Sequence, residues 1–359
     1  MTHLITLIPG DGIGPEVSEA ARRVVEATGV DVEWDVQDAG AGVMEREGTP
    51  LPDRVLDSIR RNRTALKGPI TTPIGSGFRS VNVALRQSLD LFAAVRPVLT
   101  LPGIPSRHPH VDLVVIRENT EDLYAGIEFM VASKQLEGLR QLVRELSGFE
   151  IKRDAGVTVK PISISGTRRI VEFAFDHAER NDRRLVTVGH KANIMRFSDG
   201  VFVETAEEVA GKHPSIEFRE CQVDELALRL VTEPETLDVL LLPNLYGDIV
   251  SDLCAGLVGG LGVVPGANLG WEYAIFEPVH GSAPDIAGKE LANPTAIVLS
   301  AAMMLAHLGE SVAAQAVSAG VREVLAEGSV RTRDLGGTAS TTEMAEAIVY
   351  AARSARERA

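Results

Sequence analysis

Apolar runs of strand length alternate along the chain with stretches of helical periodicity, and this alternation is the strongest constraint on the fold. The runs are Leu4–Ile8, Val30–Val36, Val111–Ile116, Gly156–Ile164, Arg184–Val188, Ile216–Cys221 and Val239–Leu242, with helical segments between most of them. The pattern predicts α/β architecture with a substantially parallel sheet. The chain has 359 residues, and at roughly 150 residues per domain that suggests about two domains. Neither a fixed-period repeat nor a low-complexity linker interrupts it, so the two domains interleave in sequence. The stretch Leu123–Lys160 alternates less regularly and reads as a small excursion from the main sheet.

The charge balance narrows the partners. With 36 Lys+Arg against 50 Asp+Glu, the chain carries −14 at pH 7. It is repelled on average by phosphate backbones and anionic lipid, so neither nucleic acid nor a membrane surface is expected as a partner. Two uncharged stretches, Leu253–Trp271 and Leu291–Gly309, are long enough to raise the question of a membrane span. The first holds six glycines and Pro265, the second Asn293, Pro294 and His307, and both read as buried helix plus loop. An apolar fraction of 45% with two cysteines excludes disorder and a disulfide scaffold. Cys221 and Cys254 have no metal-site or redox spacing and read as reduced, buried thiols. The start Met1-Thr2-His3 has no basic region or cleavage site, so the chain is expected to be cytoplasmic.

Gly10-x-Gly12-x-Gly14 follows the first strand, but G-x-G-x-x-G/A would require glycine or alanine where Pro15 or Val17 stands. The Rossmann fingerprint is absent, and so is a P-loop. A helix starting near Ser80 would place Asn82 and Arg86 on one face, with Ser80 at the end where backbone N–H groups are unpaired. Hydroxyl, amide and guanidinium together suit a carboxylate. Taken alone this is also an N-cap on a solvated face. Arg117-Glu118-Asn119, at the end of an apolar strand, shifts the reading toward a ligand. Arg86, Arg96 and Arg117 then imply a polycarboxylate.

Asp248 and Asp252 are i,i+4 on a helix after Val239–Leu242, where a shared hard cation such as Mg²⁺ or Mn²⁺ would relieve their repulsion. Asp224 is a candidate third ligand. Two exposed acids near a helix N-terminus give the same pattern. Lys191 follows a strand end, where desolvation would suit it to proton transfer, with Tyr124 a second candidate acid. An exposed lysine is the commoner outcome at such a position, and spacing alone does not separate the two.

Assembled, these stretches resemble the isocitrate/isopropylmalate dehydrogenase family of metal-dependent β-decarboxylating dehydrogenases. The resemblance is carried by Ile8–Glu16, Arg117–Gly126, His190–Met195, Asn244–Asp252, Glu277–Gly288 and Asn293-Pro294, and it runs almost end to end. It implies a homodimer with a large α/β domain from residues 1–91 and 259–359. A small α/β domain from 92–121 and 165–258 would hold the metal site and dimer interface, and 122–164 would form a clasp. The family binds its nicotinamide cofactor without a Rossmann fingerprint. Its substrate arginines fall on Arg86, Arg96 and Arg117 and its metal aspartates on Asp224, Asp248 and Asp252, with Asp224 and Lys191 supplied by the neighbouring subunit.

The same resemblance separates the family's branches. Ser80 and Asn82 match the isocitrate branch, where they hold the extra carboxylate of a tricarboxylate substrate. Isopropylmalate enzymes place an apolar residue in this region, and homoisocitrate is the nearest rival. Asp285-Ile286 stands where NADP-using relatives carry Lys-Tyr, and a carboxylate there repels a 2′-phosphate, favouring NAD. His280, Gly281, Ala283 and Asn293 would surround the adenine, and Thr71 and Thr72 would lie near the nicotinamide. The implied reaction is oxidative decarboxylation of isocitrate to 2-oxoglutarate and CO₂, with Lys191 as proton acceptor and Tyr124 as proton donor to C3. A regulatory subunit of a hetero-oligomer is the alternative of another class.

Overall fold

A computed structural model describes residues 2–71 and 80–358. Among these residues the strands are β1 (His3–Ile8), β2 (Val32–Val36), β3 (Thr64–Lys67), β4 (Ala93–Leu99), β5 (Asp112–Glu118) and β6 (Glu128–Phe129). They continue as β7 (Val157–Thr158), β8 (Leu185–His190), β9 (Glu217–Gln222), β10 (Val239–Leu242), β11 (Pro265–Leu269) and β12 (Ala274–Pro278). One ten-stranded sheet has the order β2-β1-β3-β12-β11-β4-β5-β10-β8-β9, and β6 and β7 pair separately.

The two arms of the sheet are parallel, as the alternation predicts. Its centre is not. β11 runs antiparallel to both β12 and β4, and β4 antiparallel to β5. The reason for the first of these pairings is local: only residues 270–273 join β11 to β12, too few for a crossover, so the pair closes as a hairpin. The expected strand Gly156–Ile164 shrinks to the two residues of β7. Ser163 ends it by capping the helix Ile164–Arg180, its hydroxyl accepting the Gly166 N–H at 3.0 Å.

β5 and β10 explain why the arms were readable. Leu113, Val115, Leu240 and Leu242 pack in one core, shared with the helices Gly14–Ala27, Thr295–His307 and Ser311–Glu327. Val114, Ile116, Val239 and Leu241 pack on the opposite face with Ile170, Phe175 and Phe202. Strands covered on both faces carry near-continuous apolar runs. Among the described residues no helix is long and apolar enough to cross a membrane, and Cys221 and Cys254 are free and buried. Between β5 and the helix Ile164–Arg180 lie a 3-10 turn (Asp122–Ala125), the β6/β7 pair and a helix (Lys134–Ser147).

Candidate active site

The antiparallel centre of the sheet supplies the floor of the site. Directly paired residues share a face, and Ala94 pairs with both Arg117 and Asn268, Arg96 with Val115, and Gly266 with Glu277. Arg96, Arg117, Asn268 and Glu277 therefore rise from one face around the small residues Ala94 and Gly266.

Arg117 is buried, and each of its guanidinium nitrogens has a partner. Its Nε and Nη2 donate to Asn244 Oδ1 at 3.0 and 2.7 Å, and Nη1 pairs with Asp248. Gly247 passes so close that any Cβ there would collide with the Arg117 stem. The Tyr124 hydroxyl donates to the other Asp248 oxygen at 2.6 Å, beneath a guanidinium 4.8 Å from its ring centre. Burial, then the bond donated to Asp248, raises the Tyr124 phenol above its ordinary value. Burial alone would raise Asp248 too, but Arg117, the Tyr124 bond, Arg96 and Arg86 outweigh it and hold that carboxyl low. Asp252, one turn on, is raised by burial and by Asp248, with Arg96 opposing.

Arg96 donates to the Ser251 hydroxyl and lies 3.5 Å from Asp252. Burial, with Arg117 and Arg86 close by, brings Arg96 down to about 10. Burial and Arg117 likewise lower buried Arg86. Three crowded guanidiniums make a local excess of positive charge suited to a polyanion. Ser80 is the N-cap of the helix Val81–Ser88, and Asn82 Oδ1, on its first turn, is buried without a hydrogen-bond partner.

Spacing did not reveal Lys67, Asn268 or the role of Glu277. Lys67 is only 2% exposed at the end of β3, with Nζ 2.6 Å from Glu277 Oε2. Asn268 donates to Glu277 Oε1 at 2.6 Å and Arg86 lies 3.4 Å from the same oxygen. Burial works to raise the Glu277 carboxyl, yet Lys67 and Arg86 together hold it well below the usual range. The one available signal was a lysine closing an apolar strand before Gly68-Pro69.

The glycine turn after β1 is packed by the chain's own backbone. A Cβ at Gly10 would strike the Pro69 carbonyl and one at Gly12 the Ser282 carbonyl, while the Ile13 N–H donates to Ser282 O at 2.8 Å. Asp11 accepts the N–H groups of Ala41 and Thr71, each at 2.9 Å. These contacts gather Thr71 and Ser282 into one wall, their hydroxyls 2.5 Å apart. His280 is half-buried with a buried, unpartnered Nε2, and burial lowers its ring below the ordinary value. Gly281 and Asp285 are exposed and Ile286 half-buried. Ala283 holds a left-handed φ of 37°, and Asn293 donates to Asp334 at 2.9 Å. Thr72 lies outside the described residues.

Lys191 and Asp224 form a pair of their own, with Lys191 Nζ also 3.2 Å from Gln222 Oε1. Asp224 is exposed, and the bond from Lys191 lowers its carboxyl. Among the described residues the only trio of ligand atoms within 4.8 Å belongs to Asp176, Glu179 and His213. Asp224 thus forms no such trio with Asp248 and Asp252 within one chain. The structure brings together Arg86, Arg96, Arg117, Tyr124, Asp248 and Asp252.

This fold has counterparts. The chain belongs to the isocitrate/isopropylmalate dehydrogenase family, whose pattern matches residues 4–348. It is 46% identical over 344 residues to the mitochondrial isocitrate dehydrogenase [NAD] catalytic subunit 5 of Arabidopsis thaliana, covering 96% of this chain and 87% of that protein. It is 46% identical over 348 residues to a mitochondrial isocitrate dehydrogenase [NAD] regulatory subunit of Dictyostelium discoideum, covering 96% and 90%. The crystal structure of isocitrate dehydrogenase from Methylococcus capsulatus superposes with a TM-score of 0.90 at 49% identity, over 98% of this chain and 99% of that one. The expectation of a cytoplasmic protein is corrected here: these plant and slime-mould relatives are mitochondrial, and the residues at the start of the sequence carry no weight against them.

Proposed function

We propose that the chain is a catalytic NAD-dependent isocitrate dehydrogenase, converting isocitrate to 2-oxoglutarate and CO₂. The observation that carries this reading is the meeting of Arg86, Arg96 and Arg117 with Tyr124, Asp248 and Asp252 on one face of the sheet. The arginines bind the malate portion of the substrate, and Ser80 and Asn82 hold the third carboxylate. That assignment separates isocitrate from 3-isopropylmalate, whose apolar branch would leave the Asn82 amide buried against hydrocarbon.

The donor set suits a hard divalent cation. Asp248 and Asp252 are oxygen ligands one helical turn apart, and the rise in the Asp252 carboxyl reflects burial beside a like charge that a cation would relieve. With the partner subunit's Asp224 they would hold Mg²⁺ or Mn²⁺, which supplies acidity to the C2 hydroxyl and stabilises charge on its oxygen during loss of CO₂. The partner subunit's Lys191, as the neutral amine, would take the C2 hydroxyl proton at Nζ, and NAD when bound would supply the hydride acceptor for C2. Tyr124 then delivers its phenolic proton to C3. Thr71 and Thr72 flank the nicotinamide. His280, Gly281, Ala283 and Asn293 surround the adenine, and Asp285-Ile286 selects NAD by accepting from ribose hydroxyls and repelling a 2′-phosphate. A homodimer with shared sites follows from this division of labour.

The likeness to a regulatory subunit supports a second reading, a non-catalytic partner in a hetero-oligomer. One assay decides between them: the purified chain alone, with Mg²⁺ or Mn²⁺, offered isocitrate, homoisocitrate and 3-isopropylmalate against NAD and NADP. Highest kcat/KM for isocitrate with NAD supports the proposal. Preference for homoisocitrate retains the arginines and aspartates but removes the Ser80/Asn82 assignment, and no turnover with any pair leaves the regulatory reading.

A further inference from the structure

Lys160 stands where three segments bearing site residues meet. Its Nζ is 2.5 Å from Asp199 Oδ1 and 3.8 Å from Asp122 Oδ1, and it lies 4.6 Å from the centre of the Tyr246 ring. Both carboxylates are fully buried. The remaining oxygen of Asp199 accepts the backbone N–H of Lys191 at 2.8 Å. The remaining oxygen of Asp122 accepts the N–H of Leu245 at 2.8 Å, in the first turn of the helix Asn244–Leu257 that carries Asp248 and Asp252. Asp122 opens the 3-10 turn that contains Tyr124, and it does so at a left-handed φ of 66°. A non-glycine residue stays in that conformation only when its surroundings over-determine it.

One ammonium and two buried carboxylates thus fasten the Lys191 loop, the Tyr124 turn and the start of the Asp248 helix. Stability alone does not call for such a group, since replacing a buried ion cluster by well-packed apolar side chains is often neutral or stabilising. Fixed relative geometry does call for it. Asp199 gives one oxygen to the lysine and the other to the Lys191 N–H, while Asp122, whose Oδ1 has only the 3.8 Å ion pair and no hydrogen-bond partner, gives its other oxygen to the Leu245 N–H.

We propose that Lys160, Asp199 and Asp122 are positioning residues, which set Tyr124 and the Asp248 helix for this chain's own site and Lys191 for the partner subunit's site in the reaction proposed above, and the inference rests on that reading. None of the three belongs to the arginine cluster, so their loss changes turnover more than substrate capture.

The test compares the full-length wild type with Lys160→Met, Lys160→Arg and Asp199→Asn in steady-state assays with isocitrate, NAD and Mn²⁺, each protein also followed by thermal melting. Lys160→Met is expected to lower kcat by about tenfold or more while KM for isocitrate moves by less than about threefold, and Lys160→Arg is expected to recover much of the loss. A folded Lys160→Met enzyme with wild-type kcat overturns the proposal, as does a loss of activity that only tracks the unfolded fraction. If Lys160→Met does not fold, near-isosteric Asp199→Asn gives the same decision: kcat falling at steady KM supports positioning, and unchanged kcat overturns it. A wild-type chain without turnover overturns the functional reading and this proposal together, whereas an active wild type with unaffected variants overturns this proposal alone.

Discussion

Tyr124 and Arg117 hold opposite oxygens of the Asp248 carboxylate, the phenol donating at 2.6 Å to Oδ2 while the guanidinium pairs with Oδ1. The proposed acid and the proposed substrate cation are thereby fixed to one group. Burial and the donated bond keep the phenol protonated, as a donor to C3 requires. Tyr124→Phe keeps the ring and removes the proton, so kcat should fall by about 10²-fold or more. With C2-deuterated isocitrate the isotope effect on kcat should shrink toward unity, because a step after hydride transfer becomes limiting. An unchanged kcat would remove Tyr124 from the scheme.

Glu277 offers a prediction independent of turnover. Its carboxyl is depressed below the ordinary 4.5 because Lys67 and Arg86 outweigh the effect of burial. A carboxyl depressed on folding adds stability that is complete above its unfolded pKa and is lost as pH falls toward the folded value. Glu277→Gln leaves the Lys67 ammonium buried beside an amide and should cost about 3–5 kcal/mol near neutral pH. Urea titrations should show the gap between wild type and variant narrowing below about pH 4.5. A pH-independent gap would show that the ion pair is not its source.

The paired aspartates predict a thermal response to metal. Mn²⁺ in hundredfold excess over its dissociation constant should stabilise the wild type by about 2.7 kcal/mol. Asp252→Asn should abolish that rise in Tm, and a chelator should return the wild type to its metal-free value. A shift of full size in the variant would place the cation elsewhere.

Lys191 and Asp224 bond to each other, and Asp224 forms no trio of ligand atoms with Asp248 and Asp252 within one chain; with sites shared between subunits, this predicts complementation in trans. Lys191→Met and Asp248→Asn should each be inactive as pure proteins. After equal mixing and subunit exchange, half of the dimers should be hybrids with one intact site, restoring about a quarter of wild-type activity. Failure to recover activity, with exchange verified by mass, would mean that each site draws all its residues from one chain.

What was legible in the sequence followed from periodicity and contiguous motifs. β5 and β10 were readable because both faces are covered, so that Leu113–Ile116 and Val239–Leu242 are apolar at every position. β4, β11 and β12 were missed because Arg96-Pro97, Pro265-Gly266 and Glu277-Pro278 break the pattern, and they break it where side chains face the site instead of a core. Gly156–Ile164 misled because Val157 and Val159, and then Ile162 and Ile164, alternate with polar residues, although Pro161 and Ser163 prepare a helix start. Arg86, Arg117, Tyr124, Asp248 and Asp252 lay in recognisable stretches, and the structure gathers them. Lys67, Asn268 and Lys160 sit singly in short segments, and their significance arises only when distant strands and loops meet.

The hairpin of β11 and β12 lies between β3 and β4, although the chain reaches it about two hundred residues after β3. During synthesis the early strands therefore present open edges on both sides of a gap, and the face that will hold Arg96 and Glu277 has no floor until residue 278 has been made. A translating ribosome carries this protein as two unfinished half-sheets, and most of its exposure to edge-to-edge misassembly falls before the site exists.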